Sequence, residues 1–595
     1  MRKAQPKQAS KSALPEWDLR DLYAGPQDPQ IGRDFETAQN LAQAFQGRYQ
    51  GKVAELGSKE FGRAIGEYEA VGEILGRVMS FAQLFHAIDM SDPERGRFHQ
   101  TAQERATAIS TQTLFFTLEI NRLDEAALRS KMTAPEAKRY APWIRDLRVY
   151  KDHQLSHDLE TLLHEKEVTG RAAWVRLFDE TLACVTVDVE GEKLTLTQAL
   201  DRLSDPDRKR RRQAGRAIGQ AMEGRMSLFS LVTNTLAKDK AIEDAWRRYP
   251  HPVRSRNLAN QVEDEVVEAL VGSVKAAWEG LAHRYYGWKA RQLKLKRLDY
   301  FDRNAPLAGD AGRRYSWEEA RDLVLSSYAR FAPEMGELGR RFFERPWIDA
   351  APRPGKASGA FAHPTVPSSH PYLLVNFLGK ARDVMTLAHE LGHGVHQLLA
   401  AQQGLLLSDT PLTLAETASV FGEMLVFRAL LADETDPKAR RILLAGKIED
   451  MLNTVVRQVA FHEFERRVHD ERKEGEISTG RLGEIWLSVQ TESLGPAFRF
   501  SKEYQHFWAY IPHFVHSPFY VYAYAFGDCL VNSLYDVYRS GAQGFAAKYF
   551  DLLKAGGTLR HKELLAPFGL DTSDPAFWQR GMAVIEGLID ELEGI

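Results

Sequence analysis

Only two of the 595 residues are cysteine, Cys184 and Cys529. Two thiols cannot make a disulfide framework for a chain this long, which suits a reducing cytoplasm. Long apolar runs are also missing. The most apolar late stretch, "FYVYAYAFGDCLV", is interrupted by Gly527 and Asp528, and a membrane span needs about 20 apolar residues. Excess charge of one sign is absent: 78 Lys and Arg against 81 Asp and Glu give a formal net charge of -3. That gives no reason to expect a nucleic-acid or membrane partner. The basic opening "MRKAQPKQASKSALPEW" has no continuous apolar segment and does not read as a secretory signal. Residues 1–15 read instead as a disordered tail. Repeats of 20–50 residues are absent, and strand signals are few. The expectation is a soluble, cytoplasmic, mainly α protein.

What the chain does have is helical periodicity. Windows 36–50, 58–88, 98–121, 206–242, 262–293 and 317–343 carry apolar residues three and four apart, with charges between them. "CVTVDVEGEKLTLTQAL" alternates on either side of Gly191 and predicts a small hairpin. "HPYLLVNFLG" predicts a second strand, taken as an edge on which a peptide could pair, with Asn376 as a contact. A composition change near residue 200 suggests an N-terminal helical domain over 16–200 and a second domain over 201–595. The basic run "DPDRKRRRQAGR" reads as a helix with acids in its first turn and a solvated basic face. The Pro- and Gly-rich stretch 345–370 is long for a structureless loop, which favours a functional role.

One stretch spends unusual residues on a helix. "DVMTLAHELGHGVHQLL", within a helix expected over 383–400, holds three histidines, a glutamate and two glycines in eight positions. His389 and His393 are four apart, on one face and about 6 Å apart along the axis. Both imidazoles can therefore converge on one ion at about 2.0–2.1 Å, the zinc–nitrogen distance. Glu390, rotated about 100° from His389, can face a water on the open side of that ion. His396 returns to the same face but about 10.5 Å along, too far to share the ion; it reads as support or packing. A third ligand should come from "LTLAETASVFGEMLVFRALLA", expected as one helix. Glu416 either supplies it or closes a capping box with Thr413. Glu423 suits a hydrogen bond to a ligand histidine. Gly392 and Gly394 are expected to let the second helix approach closely.

Together these residues resemble the thimet oligopeptidase and oligoendopeptidase F family of zinc peptidases, most closely the oligoendopeptidase F branch. The likeness runs nearly end to end: "WDLRDLY", "GAFAHPTVPSSHPYLLVNFLGKARDVMTLAHELGHGVHQ", "PLTLAETASVFGE", "IPHFVHSPFYVYAYAFGD" and "LLKAGGTLRHKELLAPFGLD". The resemblance implies His389, His393 and Glu416 as ligands of one zinc ion and Glu390 as the catalytic glutamate. It also implies a two-lobed, mainly α molecule with a deep central channel that admits short peptides. The family further places a histidine and tyrosines at the developing oxyanion. In the late segment these fall on His513, Tyr520 and Tyr524, with His516 competing, and Ser517–Pro518 reads as the start of a helix. The expected activity is zinc-dependent cleavage of internal bonds in oligopeptides. The alternatives are a zinc carboxypeptidase on a similar frame and a helical peptide-binding protein without catalysis. The sequence carries no sign of oligomeric state.

Overall fold

The apolar periodicity is realised first in α1 (Pro29–Tyr49) and α2 (Ser58–Ile88). Asp28 caps α1 by accepting from the Gln30 amide, and Pro29 occupies the first turn, where its missing N–H costs nothing. The computed structural model describes residues 14–167, 169–307, 313–357 and 359–595; most of the expected tail lies outside them. Among the described residues the chain is mainly α with a few short strands, and no helix is long and apolar enough to cross a membrane. The expected hairpin forms from β1 (Thr186–Val189) and β2 (Glu192–Thr195). Its two turn residues, Glu190 and Gly191, both have positive φ, as a two-residue hairpin turn requires.

The basic run lies on α3 (Arg208–Glu223), but its face is not simply solvated. Arg211 is buried and donates to the buried Asp302, while Arg208 bridges Asp299 and Asp302. Asp207 caps the helix from outside, and no acid lies in its first turn. Lys209, Arg210, Arg212 and Arg216 are exposed as expected, while Arg208 and Arg211 fold back to buried carboxylates, as long side chains can.

Next come α4 (Trp317–Phe331), α5 (Pro333–Glu344) and the strands β3 (Ile348–Asp349), β4 (Phe361–His363) and β5 (Tyr372–Leu374). The stretch 345–370 thus builds two strands of a sheet. Contrary to expectation, β5 is not an edge. It lies in the middle, parallel to β3 and antiparallel to β4. Its residues are fully buried, as a central strand covered on both faces demands. The chain at 15–18 closes the far side of β3: Ala350 N donates to Pro15 O and Asp18 N to Pro346 O. Trp17 stands edge-on to Tyr372 at 5.9 Å. The "WDLRDLY" opening is therefore a wall of the sheet, and β4 is the outer strand, with no further strand beside it among the described residues.

The remaining elements used below are α6 (Ala381–Ala400), α7 (Leu412–Ala415), α8 (Ser419–Asp433), α9 (Pro437–Thr454), α10 (Val456–Glu474), α11 (His513–His516) and α12 (Tyr522–Arg539). The expected single helix after α6 is broken at 416–418, between α7 and α8. Among the described residues, three apolar cores hold the molecule. The largest joins residues between 17 and 109 to residues between 253 and 592. The second joins 178–236 to parts of 460–521 and so draws on both sides of residue 200. The third lies within 45–144, with Leu407. Helix α6 buries Val384, Leu387, Leu391 and Val395 completely, each contributing about 1.5–3 kcal/mol. That fixes which face of α6 is left for chemistry.

Candidate metal centre and active site

The free face of α6 presents His389 and His393, their rings 4.9 Å apart. The break after α7 turns Glu416 toward them. Its Oε2 lies 3.3 Å from His389 Nε2 and 3.5 Å from His393 Nε2. A tetrahedral zinc ion with ligands at 2.0–2.1 Å separates its donor atoms by roughly 3.3–3.4 Å. Both histidine–carboxylate spacings match such an ion, the three donor atoms lie within 4.8 Å of one another, and they are the one His/Glu group of this kind among the described residues. The capping box does not form. Thr413 donates instead to Asn260 O, and Glu416 accepts from Ser419 Oγ at 2.6 Å.

Close approach explains one of the two glycines. A Cβ added to Gly392 would lie 2.5 Å from Ala418 O and 2.6 Å from Ser419 Cα; only glycine lets α6 touch the α7–α8 break. Gly394 has a different neighbour. It faces Phe342 of α5 and Leu373 of β5, so its role is packing on the other side of the helix. Two further glycines make room at the site. Gly422 abuts Tyr328, whose phenol donates to Ala388 O, and Gly527 abuts the Cβ and Cγ of Glu416. In the sequence Gly527 stood out only as an interruption of an apolar run. Tyr328 and Ser419 gave no signal at all.

The electrostatics favour positive charge between these groups. Burial opposes protonation of His389, but the Glu423 hydrogen bond and the charges of Glu416, Glu423 and Glu390 raise it to about 9. Glu423 Oε2 sits 3.2 Å from His389 Nδ1 and its Oε1 2.6 Å from Lys447 Nζ on α9. Burial works against Glu423 ionising, yet Lys447 and His389 hold its carboxyl down to about 2. Glu416 is likewise kept below its ordinary value by His389, His393 and Ser419, against burial. Burial lowers His393 to about 4, leaving a neutral imidazole ready to ligate. Glu390 is pushed up to about 7 by burial, with His389 pulling the other way. Lys447 was not singled out in the sequence, because a lone lysine on an ordinary helix carries no signal. Only the fold makes it the cation beside Glu423.

His396 is buried, with Nε2 3.5 Å from Thr410 Oγ1; it is not among the three converging groups. It lines a cavity of ≈ 400 Å³ that begins at His393 and Ala415 and is walled by 364–371 and 405–410. The amide of Asn376, expected as a substrate contact, is engaged within the chain. Its side-chain NH2 donates to Ala357 O and Gly359 O and braces the loop before β4.

In the late segment, Ser517–Pro518 does not start a helix. Ser517 ends the short α11, and α12 begins at Tyr522. The loop between them nevertheless brings three expected residues together. His513 Nε2 is 3.4 Å from the Tyr524 hydroxyl, and the Tyr520 and Tyr524 rings meet edge-on at 5.3 Å. Gly527, one turn after Tyr524, touches Glu416, so this face of α12 lies against the metal centre. His516 points elsewhere, exposed and paired with Asp179 at 2.7 Å. Tyr522 is fully buried and bonded to Asn257 and Asn260.

Known proteins share both the sequence and the fold. The model of "Peptidase family M3" matches residues 202–584, and that of "Oligopeptidase F" matches 119–186. Oligopeptidase PepF of Bacillus subtilis (strain 168) is 27% identical over 97% of this chain and 86% of its own length. An oligoendopeptidase F homolog of Borreliella burgdorferi is 26% identical over 97% and 98% respectively. Among solved structures, oligoendopeptidase-F from Enterococcus faecium superposes with a TM-score of 0.72 at 21% identity, over 95% of this chain and 98% of that one. At that identity the superposition speaks for the fold, while the family match speaks for the chemistry. The chain belongs to peptidase family M3, resembles its oligoendopeptidase F members along almost its whole length, and is a metallo-oligopeptidase.

Proposed function

We propose that this protein is a zinc-dependent endopeptidase that cleaves internal bonds of short oligopeptides. The observation that carries the reading is the spacing of His389 Nε2, His393 Nε2 and Glu416 Oε2, 3.3 and 3.5 Å between histidine and carboxylate. Two nitrogens and one carboxylate oxygen are a donor set that suits zinc and leaves a position open. When bound, zinc supplies Lewis-acid chemistry, lowering the pKa of water towards 7 and polarising a carbonyl. Everything else falls to the chain's own side chains.

Glu390 takes a proton from the attacking water and returns it to the leaving amine. Its carboxyl, lifted to about 7 by burial, is poised near the operating pH, where a general base works best. Tyr520, Tyr524 and His513 offer phenol and imidazole donors to the oxygen that gains negative charge. Glu423 fixes the His389 ring through Nδ1 and is itself held ionised by Lys447. The peptide main chain pairs with β4, the strand whose outer side carries no other strand among the described residues, and the cavity beyond His393 takes a side chain. Both cysteines are free thiols, consistent with work in the cytoplasm.

Two measurements test this. Glu390→Gln should retain one zinc per chain while kcat falls by about 10²–10⁴-fold; a zinc-loaded variant of undiminished kcat contradicts the role of Glu390. A peptide blocked at both ends should be cut internally, as mass spectra of the products will show. Release of C-terminal residues only would make the protein a carboxypeptidase.

A further inference from the structure

Between the donors His513 and Tyr520 lies a residue in an improbable conformation. Phe519 has φ +59° and is fully buried. A bulky residue in the left-handed region costs about 1–3 kcal/mol and persists only where its surroundings over-determine it. Here they do. Glu465 Oε1 on α10 accepts from the Phe519 amide at 2.8 Å. The Phe519 ring packs against His462 at 5.8 Å and His469 at 4.9 Å; these residues sit three before and four after Glu465, on the same face of α10. Arg256 also donates to Pro518 O at 3.3 Å, its guanidinium 5.7 Å from the Tyr520 ring. Arg171 donates to Val515 O and His516 O.

Glu465 stands out among these contacts. It is 2% exposed, and its second oxygen, Oε2, is buried with no hydrogen-bond partner. Packing α10 against an aromatic loop needs no such group, and an unmatched buried carboxyl is costly. Its one hydrogen bond goes to the amide of the strained residue. Burial lifts the Glu465 carboxyl to about 8, so a neutral amide side chain can imitate it at pH 7.

We propose that Glu465 is a positioning residue: by accepting from the Phe519 amide it holds the left-handed turn that sets the Tyr520 phenol beside His513 and Tyr524. The inference rests on the reading of Tyr520 as an oxyanion donor, and the test keeps the two apart. Glu465→Leu removes the acceptor while filling its space; Glu465→Gln keeps the acceptor; Glu465→Ala replaces the Leu variant if that fails to fold. For Glu465→Leu we expect kcat to fall roughly 10- to 100-fold, as for a misplacement of about 1 Å, with KM and zinc content unchanged. Glu465→Gln should recover most of that loss. In a Tyr520→Phe background, Glu465→Leu should cost less than about twofold more, because it acts through the phenol already removed. Losses that multiply, a Gln variant no better than Leu, or an undiminished kcat in Glu465→Leu overturns the proposal. Should Tyr520→Phe alone leave kcat intact, the donor reading fails and a crystal structure of Glu465→Leu decides the positioning. Phe519 leaving the left-handed region with Tyr520 displaced upholds the proposal, and an unchanged main chain overturns it.

Discussion

At the scale of residues, the site is a small set of charges whose protonation is set by neighbours from other elements. His389 is the clearest case: on its own helix it is one imidazole of two, but Glu423 and Lys447 give it an orientation and a field. Removing that support should weaken metal binding without touching a ligand. For Glu423→Gln we expect zinc affinity, read by competition with a chelator, to fall roughly 10- to 100-fold; unchanged affinity would mean that the contact is incidental. Much of this set was legible in the sequence. His389, Glu390 and His393 follow from helix geometry alone, because a spacing of four places two imidazoles together. Glu416 did not follow in that way. Its local pattern equally fits a capping box, and only the chain break after Ala415 turns the carboxylate inward. His513, Tyr520 and Tyr524 meet as expected, but Asn376 and His516 are engaged elsewhere by groups distant in sequence.

At the scale of elements, what matters is how closely helices approach. Gly392 permits contact between α6 and the backbone of Ala418 and Ser419, and backbone cannot give way as a side chain can. Gly392→Ala should destabilise the protein by about 1–3 kcal/mol, measured as a lower urea midpoint, and weaken zinc binding with it. A variant of full stability and affinity would remove close approach as the reason for this glycine. A second element-level tie joins α10 to Lys275: Glu463 lies 2.7 Å from Lys275 Nζ and 3.1 Å from Arg466 Nε. Burial disfavours its charge, but Arg466 and Lys275 hold the carboxyl down to about 2, against an ordinary 4.5. A depressed carboxyl stabilises above its unfolded value, and that contribution drains away as pH falls from 4.5 through 2. Urea midpoints over that interval should fall less steeply for Glu463→Gln than for the parent; parallel curves would contradict the assignment. Elements themselves were easier to read than their breaks. Apolar periodicity gave α2 at 58–88, while the interruption at 416–418 and the loop at 517–521 depend on contacts with α6 and α10.

At the scale of the whole molecule, the cores join segments far apart in sequence. The N-terminal opening closes the sheet beside the active-site helix, and β5, read as an edge from its apolar run, is central because β3 and β4 flank it. A short apolar run cannot by itself distinguish an edge from a middle strand. The consequence is structural: β4, not β5, is the outer strand of the sheet on that side. The most direct test of the account is an anomalous difference map of zinc-soaked crystals, recorded at the zinc absorption edge. The account predicts one strong peak about 2.0–2.1 Å from His389 Nε2, His393 Nε2 and a Glu416 carboxylate oxygen. A peak elsewhere, or Glu416 still bonded to Ser419 and turned from the ion, would contradict it.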